Sequence, residues 1–99
     1  MKLRFGTKRL EGLYCGTREQ GTYPRDVVDA FFRRITSIKS AVDMRDLWAL
    51  KGARLEKLRR QRNLYSMRLN VQWRLILEFE EAGQGTTVVV KSISKHYGG

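Results

Sequence analysis

In 99 residues the chain has one cysteine, one histidine and one proline, and each scarcity removes a class of chemistry. With Cys15 alone no internal disulfide can form, and a single thiol fits a reducing cytoplasm better than an oxidising compartment. One Cys, one His and no close group of carboxylates leave too few donors for a metal centre, so no metal and no cofactor are expected. Apolar runs are only a few residues long, far short of the roughly 7 to 15 of a secretory signal or the about 20 of a spanning helix. A soluble, cytoplasmic protein without a membrane partner is the expectation. Missing too are a glycine loop with the lysine that cradles phosphates and a Ser, His and acid set worth proposing. Without internal repeats or low-complexity tracts, a chain of 1–99 predicts a single domain with one modest hydrophobic core.

Acidic residues are also in short supply. Twenty Lys and Arg face ten Asp and Glu, a formal charge of +10 with a pI near 10.4. Such an excess points to nucleic acid, a ribosome or another anionic surface as partner. Residues 1–50 contribute +4 and residues 51–99 contribute +6, so the second half is the expected binding face. Its densest part runs from Lys51 to Arg74, with eight basic residues against the single acid Glu56. Lys51, Arg54, Lys57, Arg59, Arg60 and Arg62 are the candidate RNA contacts there, with Lys95 further on.

The apolar spacing predicts helices first and sheet afterwards. Leu3 and Phe5 alternate with Lys2 and Arg4, which reads as an opening strand that returns to a sheet formed later. Thr7 is placed to cap a helix with Leu10, Leu13 and Tyr14 on one face and Gly16 to stop it. Pro24 sits where first-turn prolines sit, Asp26 adds a favourable charge, and Val28, Phe31, Phe32, Ile35, Ile38 and Val42 recur as the main core helix. One further short turn is expected over Asp43–Leu50, capped by Asp43 and ended by Gly52. From Ala53 the period changes to two. Tyr65, Met67 and Leu69 alternate with Ser66, Arg68 and Asn70. Trp73, Leu75, Leu77 and Phe79 then face the helices, while Arg74, Ile76, Glu78 and Glu80 face away. Asn70–Gln72 makes a hairpin, Ala82–Thr86 a second turn and Thr87–Ile93 a final strand. The order β-α-α followed by a β-meander predicts an α+β domain, with two or three helices on one face of an antiparallel sheet whose other face is free.

RNA can be cut without a metal when the ribose 2′-hydroxyl attacks the adjacent phosphate. The protein must then supply a base, an acid and fixed positive charge for the crowded phosphorane. Arg68 and Arg74 suit the last role, since a guanidinium offers planar paired donors and stays charged. The alternative is that they are solvated side chains or partners of Glu78 or Glu80. His96, beside Tyr97, has an ordinary pKa near 6.5 that permits proton transfer at neutral pH, or it is simply a surface residue near the end of the chain. Glu56 is a second candidate base, or else a salt-bridge partner of nearby arginines, whose field would hold it ionised.

The runs Leu55-Glu56-Lys57-Leu58-Arg59, Tyr65-Ser66-Met67-Arg68-Leu69-Asn70 and Gln72-Trp73-Arg74-Leu75-Ile76-Leu77 resemble the RelE/ParE toxin superfamily, most closely its HigB-like branch. The resemblance implies a RelE-like fold and a ribosome-dependent endoribonuclease, an mRNA interferase that cuts translated mRNA and arrests growth. It also implies a cognate, HigA-like, DNA-binding antitoxin that neutralises it. Arg68 and Arg74 match positions whose cations stabilise the scissile phosphate in that family. Where many relatives have a histidine in Leu-His-Pro-Leu-Lys-Gly, this chain has Glu56; where many end in Asp-Tyr-His, it has Lys95-His96-Tyr97. The candidate catalytic set is therefore Arg68, Arg74, His96, Tyr97 and Glu56. Two other readings stay open: a ParE-like inhibitor of DNA gyrase, which needs no histidine, and a non-enzymatic module that binds nucleic acid or an antitoxin.

Overall fold

A computed structural model describes residues 1–16, 22–59, 61–83 and 85–95. The element order is β1 (Lys2–Phe5), α1 (Lys8–Cys15), α2 (Arg25–Ser40), α3 (Met44–Trp48), β2 (Glu56–Lys57), β3 (Leu64–Arg68), β4 (Trp73–Ala82) and β5 (Gly85–Lys95). These strands make one sheet in the order β1-β5-β4-β3-β2. The α+β architecture is as the sequence predicts, with one refinement: β2 to β5 run antiparallel, whereas β1 joins β5 in parallel, so the sheet is mixed. A parallel partner requires a long crossover, and the chain from α1 to β4, three helices and three strands, provides it.

The helix boundaries follow their caps. The Thr7 hydroxyl accepts from the Leu10 amide at 3.2 Å, and Gly16 closes α1 at φ +78, a left-handed setting that glycine takes at little cost. Pro24 stands at the cap of α2, its carbonyl accepting from Val27 and Val28. Asp43 caps α3 by accepting from the Arg45 amide at 2.9 Å. One expectation fails here: α2 ends at Ser40, so Val42 lies beyond it and is 84% exposed, not part of the core stripe. Ala41 takes the last inward place instead.

The core lies between the helices and one face of the sheet. Val27, Ala30, Phe31, Ile35 and Ile38 of α2 and Leu10 and Leu13 of α1 meet Met67, Leu75, Leu77, Phe79, Val88 and Val90. The inward residues of β3 and β4 are those picked out by alternation. In β5 the alternation breaks, because Ile76 pairs with Ser92 while the adjacent Leu77 pairs with Val90. Lys91 is left over as a bulge. The extra residue returns Ile93 to the core side and turns Ser92 and Ser94 together to the other face, where their hydroxyls lie 3.4 Å apart. The second hairpin is tighter than the sequence suggests, since β4 reaches Ala82 and β5 already starts at Gly85. No described helix is long and apolar enough to cross a membrane.

Candidate functional site

Arg68 ends β3 and Arg74 follows the first residue of β4, and the antiparallel register sets them directly opposite each other. Since Met67 and Leu75 beside them are fully buried, alternation forces both arginines onto the face away from the helices. Both are half-buried. Their guanidiniums converge on one acceptor, the main-chain carbonyl of Asn70: Nε of Arg68 donates to it at 3.3 Å and Nη1 of Arg74 at 3.0 Å. Among the described residues the ion pairs are Arg4–Glu80 and Arg45–Asp43. Glu80 is thus taken by Arg4, and neither it nor Glu78 neutralises Arg68 or Arg74. Two like charges held side by side without a carboxylate are costly to a fold. They are well suited to an anion.

Glu56 lies on the same surface. It pairs with Ser66, which pairs with Ile76, which pairs with Ser92, so one row runs across four strands. Glu56, Ser66, Arg74, Ile76, Ser94 and Lys95, with Leu58, line a cavity of about 120 Å³. The outer face is not bare, because Ser66 is 4% exposed and Val89 1%. The structure therefore brings Glu56, Arg74 and Lys95 around one depression, with Arg68 beside Arg74. Glu56 is exposed and makes no ion pair among the described residues.

The other candidate cations spread along one edge. Lys51 and Arg54 are exposed in the connection after α3, and Arg54 is held at φ +45 between buried Ala53 and Leu55, a backbone setting few residues other than glycine adopt. Lys57, Arg59 and Arg62, with Leu58 and Gln61, line a broader cleft of about 440 Å³ at the β2–β3 edge. His96, Tyr97 and Arg60 lie outside the described residues.

Two residues that sequence reasoning passed over support the arginines. Arg34 of α2 donates from Nε to the carbonyl of Arg68 at 3.0 Å and from Nη2 to that of Gly52 at 3.1 Å. Burial, aided by the neighbouring Arg33, pushes its guanidinium below the ordinary arginine value. Its signal was present: position 34 follows Ala30 and Phe31 by four and three and precedes Ile38 by four, so a charge sits on the core stripe. Asn70 is the other, described above only as a hairpin residue. An asparagine in a short loop often binds the amides that follow it, and here its Oδ1 accepts from Gln72 and Trp73, each at 2.8 Å.

Comparison with known proteins agrees with the fold. No curated protein sequence matches the chain. Among solved structures, the YoeB/ParE toxin from Agrobacterium tumefaciens superposes with a TM-score of 0.63 at 19% identity, covering 98% of this chain and 100% of that one. The YoeB-YefM complex from Staphylococcus aureus gives 0.60 at 17% identity, with 98% of each chain covered. At such identities the likeness shows a shared fold. The sequence itself goes further, because residues 3–91 match the family described as the RelE-like toxin of type II toxin-antitoxin system HigB. A match over that span takes in every strand and helix except the end of β5, and the chain belongs to this family of HigB toxins.

Proposed function

We propose that this toxin is a ribosome-dependent endoribonuclease that cuts translated mRNA in the cytoplasm. The observation that carries the reading is the Arg68–Arg74 pair: two guanidiniums, opposite in register, convergent on one carbonyl and without a carboxylate partner among the described residues. A phosphorane places added negative charge on the non-bridging oxygens, and preorganised donors aimed there lower its energy without reorganisation. Attack by the 2′-hydroxyl needs a base, and departure of the 5′-oxygen needs an acid. Glu56, on the rim of the cavity that Arg74 lines, can accept a proton in that space. His96 and Tyr97, which follow Lys95 in sequence, complete the candidate set. The edge of cations from Lys51 to Arg62 would hold ribosomal or messenger RNA by its phosphates.

A toxin of this kind needs an inhibitor, and a protein antitoxin is the proposed partner. The Staphylococcus aureus neighbour of the same fold is itself found in a complex, YoeB-YefM.

Inducing the chain without a partner tests the function. Translation and DNA supercoiling are followed separately, and 5′ ends of cellular messages are mapped. New 5′ ends within translated frames, appearing before any change in supercoiling, are expected. Growth arrest with an intact message pool and an early supercoiling change would overturn the nuclease reading in favour of gyrase inhibition. Purified protein should cleave a message on programmed ribosomes and leave the same message intact when free.

A further inference from the structure

Every polar atom of Asn70 is engaged. Its amide donates to the Trp73 carbonyl at 3.3 Å, its own carbonyl accepts from Arg68 and Arg74, its Oδ1 accepts from the amides of Gln72 and Trp73, and its Nδ2 donates to Oδ2 of Asp26 at 2.9 Å. We infer that Asn70 is a positioning residue that aims the Arg68–Arg74 pair, and that Asp26 on α2 is its anchor. The inference rests on the nuclease reading given above and deepens it.

The reasoning follows from what each contact fixes. Two guanidiniums on long side chains repel each other and, left free, would splay apart. A carbonyl oxygen has two lone pairs, enough to hold one donor from each. Where that oxygen points depends on the peptide plane after Asn70, and the Oδ1 clamp on the amides of Gln72 and Trp73, which closes the turn around that peptide, limits its rotation. The clamped turn would still rock as a unit on the end of the hairpin. The Nδ2 bond to Asp26 ties it to the first turn of α2, where a negative charge is already favoured. Closing the hairpin does not require this tie, since Leu69 and Asn70 both donate to Trp73 across it. Asn70 thereby joins the helical layer to the two cations without facing the substrate itself.

Three variants test this on programmed ribosomes under single-turnover conditions, with ribosome affinity measured separately. Asn70→Asp keeps an acceptor for the turn but sets a carboxylate against Asp26, whereas Asp26→Ala removes only the anchor and leaves the clamp. Asp26→Asn in the Asn70→Asp background returns an amide opposite a carboxylate at the parental net charge. A displacement of about 1 Å can cost about a hundredfold in rate, so Asn70→Asp should cleave roughly tenfold to a hundredfold more slowly and Asp26→Ala roughly threefold to tenfold. Affinity should stay within about twofold, because the cationic surface is intact. The double variant should recover to within about threefold of the parental rate. Parental cleavage by Asp26→Ala overturns the inference, and it decides the matter even if Asn70→Asp fails to fold. Failure of the double variant to recover, or a loss confined to affinity, overturns it as well. A parental protein that cleaves nothing overturns the nuclease reading, and this inference with it.

Discussion

Arg74→Gln should weaken catalysis without weakening the fold. Nε of Arg68 and Nη1 of Arg74 each reach the same oxygen, at 3.3 and 3.0 Å, so these two nitrogens lie no further apart than those distances together. At roughly 6 Å two like charges repel by about 0.7 kcal/mol in a water-like dielectric and about 3 kcal/mol at an effective value of 20. Both side chains are half-buried, which places the repulsion between these limits. Against it stands the hydrogen bond of Arg74 to the Asn70 carbonyl, about 1 kcal/mol for a typical case and more for a charged donor. A glutamine is shorter and neutral but keeps a donor. The two contributions then nearly cancel, and the expected change in stability lies between zero and about 1 kcal/mol in favour of the variant. Cleavage should meanwhile fall about a hundredfold to a thousandfold, as for the loss of one donor to a developing oxyanion. Urea unfolding in low and high salt gives the first quantity, and single-turnover cleavage on ribosomes gives the second. The parental protein should gain more stability from salt than the variant does, since screening relieves only the pair. A variant that cleaves at the parental rate and has lost more than about 1 kcal/mol would show that Arg74 is a structural residue, and the argument would fail.

Arg34→Met should cost about 1 to 3 kcal/mol in urea unfolding, because the carbonyls of Arg68 and Gly52 lose a charged donor while methionine retains the packing of the stem; unchanged stability would show that water replaces the guanidinium. If roughly four of the cations between Lys51 and Arg74 engage RNA phosphates, the slope of log affinity for ribosomes against log salt should be about −3, and replacing Arg59, Arg60 and Arg62 by Ala should flatten it. A slope near zero would mean that the edge is only a solvated surface. The Asp43 carboxylate is held below the ordinary aspartate range by Arg45, through its side chain and its amide. Its folded pKa is depressed, so its contribution is present above the unfolded value near about 3.9 and is lost as pH falls through the folded value. Asp43→Ala should therefore lower the melting temperature at neutral pH, and the gap should close in acid; a gap constant down to strongly acidic pH would contradict the assignment.

Much of this fold could be read from the chain because its signals are local. The period-two runs over Tyr65–Leu69 and Trp73–Phe79 set faces as well as elements, and with them the side on which Arg68 and Arg74 project. Thr7, Gly16 and Asp43 marked helix ends through their own caps, and Pro24 marked the start of α2, although it stands at the cap and not in the first turn. What could not be read depends on pairing between distant strands. The bulge at Lys91 leaves no trace in a run of β-branched residues, yet it decides that Ser92 and Ser94 share the face of Arg74. The parallel docking of β1 on β5 is equally silent, since alternation gives a strand its faces and not its direction. Val42 misled because its spacing continues the helical stripe, while the chain turns extended at Ala41. At the site the arginines were legible one at a time, but their convergence on Asn70 and their support by Arg34 were not, because both depend on a loop conformation and a helix-to-strand contact.

The same pairing ties the stability of the fold to the chemistry proposed for it. A slip of one residue in the β3–β4 register would place Arg68 opposite a neighbour of Arg74 and leave the cations unmatched across the ladder. Moving the β4 face in the same way would also drive Arg74 towards the helices and expose Leu75, which is fully buried. A guanidinium in that core would lack both water and a carboxylate partner, a far larger penalty than the repulsion on the surface. Burial of Met67, Leu75 and Leu77 against α2 therefore selects the register in which two like charges must face each other. The hydrophobic core overcomes a local repulsion that the strands alone would relax, and the charge concentration needed to hold a phosphate is maintained by residues that never meet it.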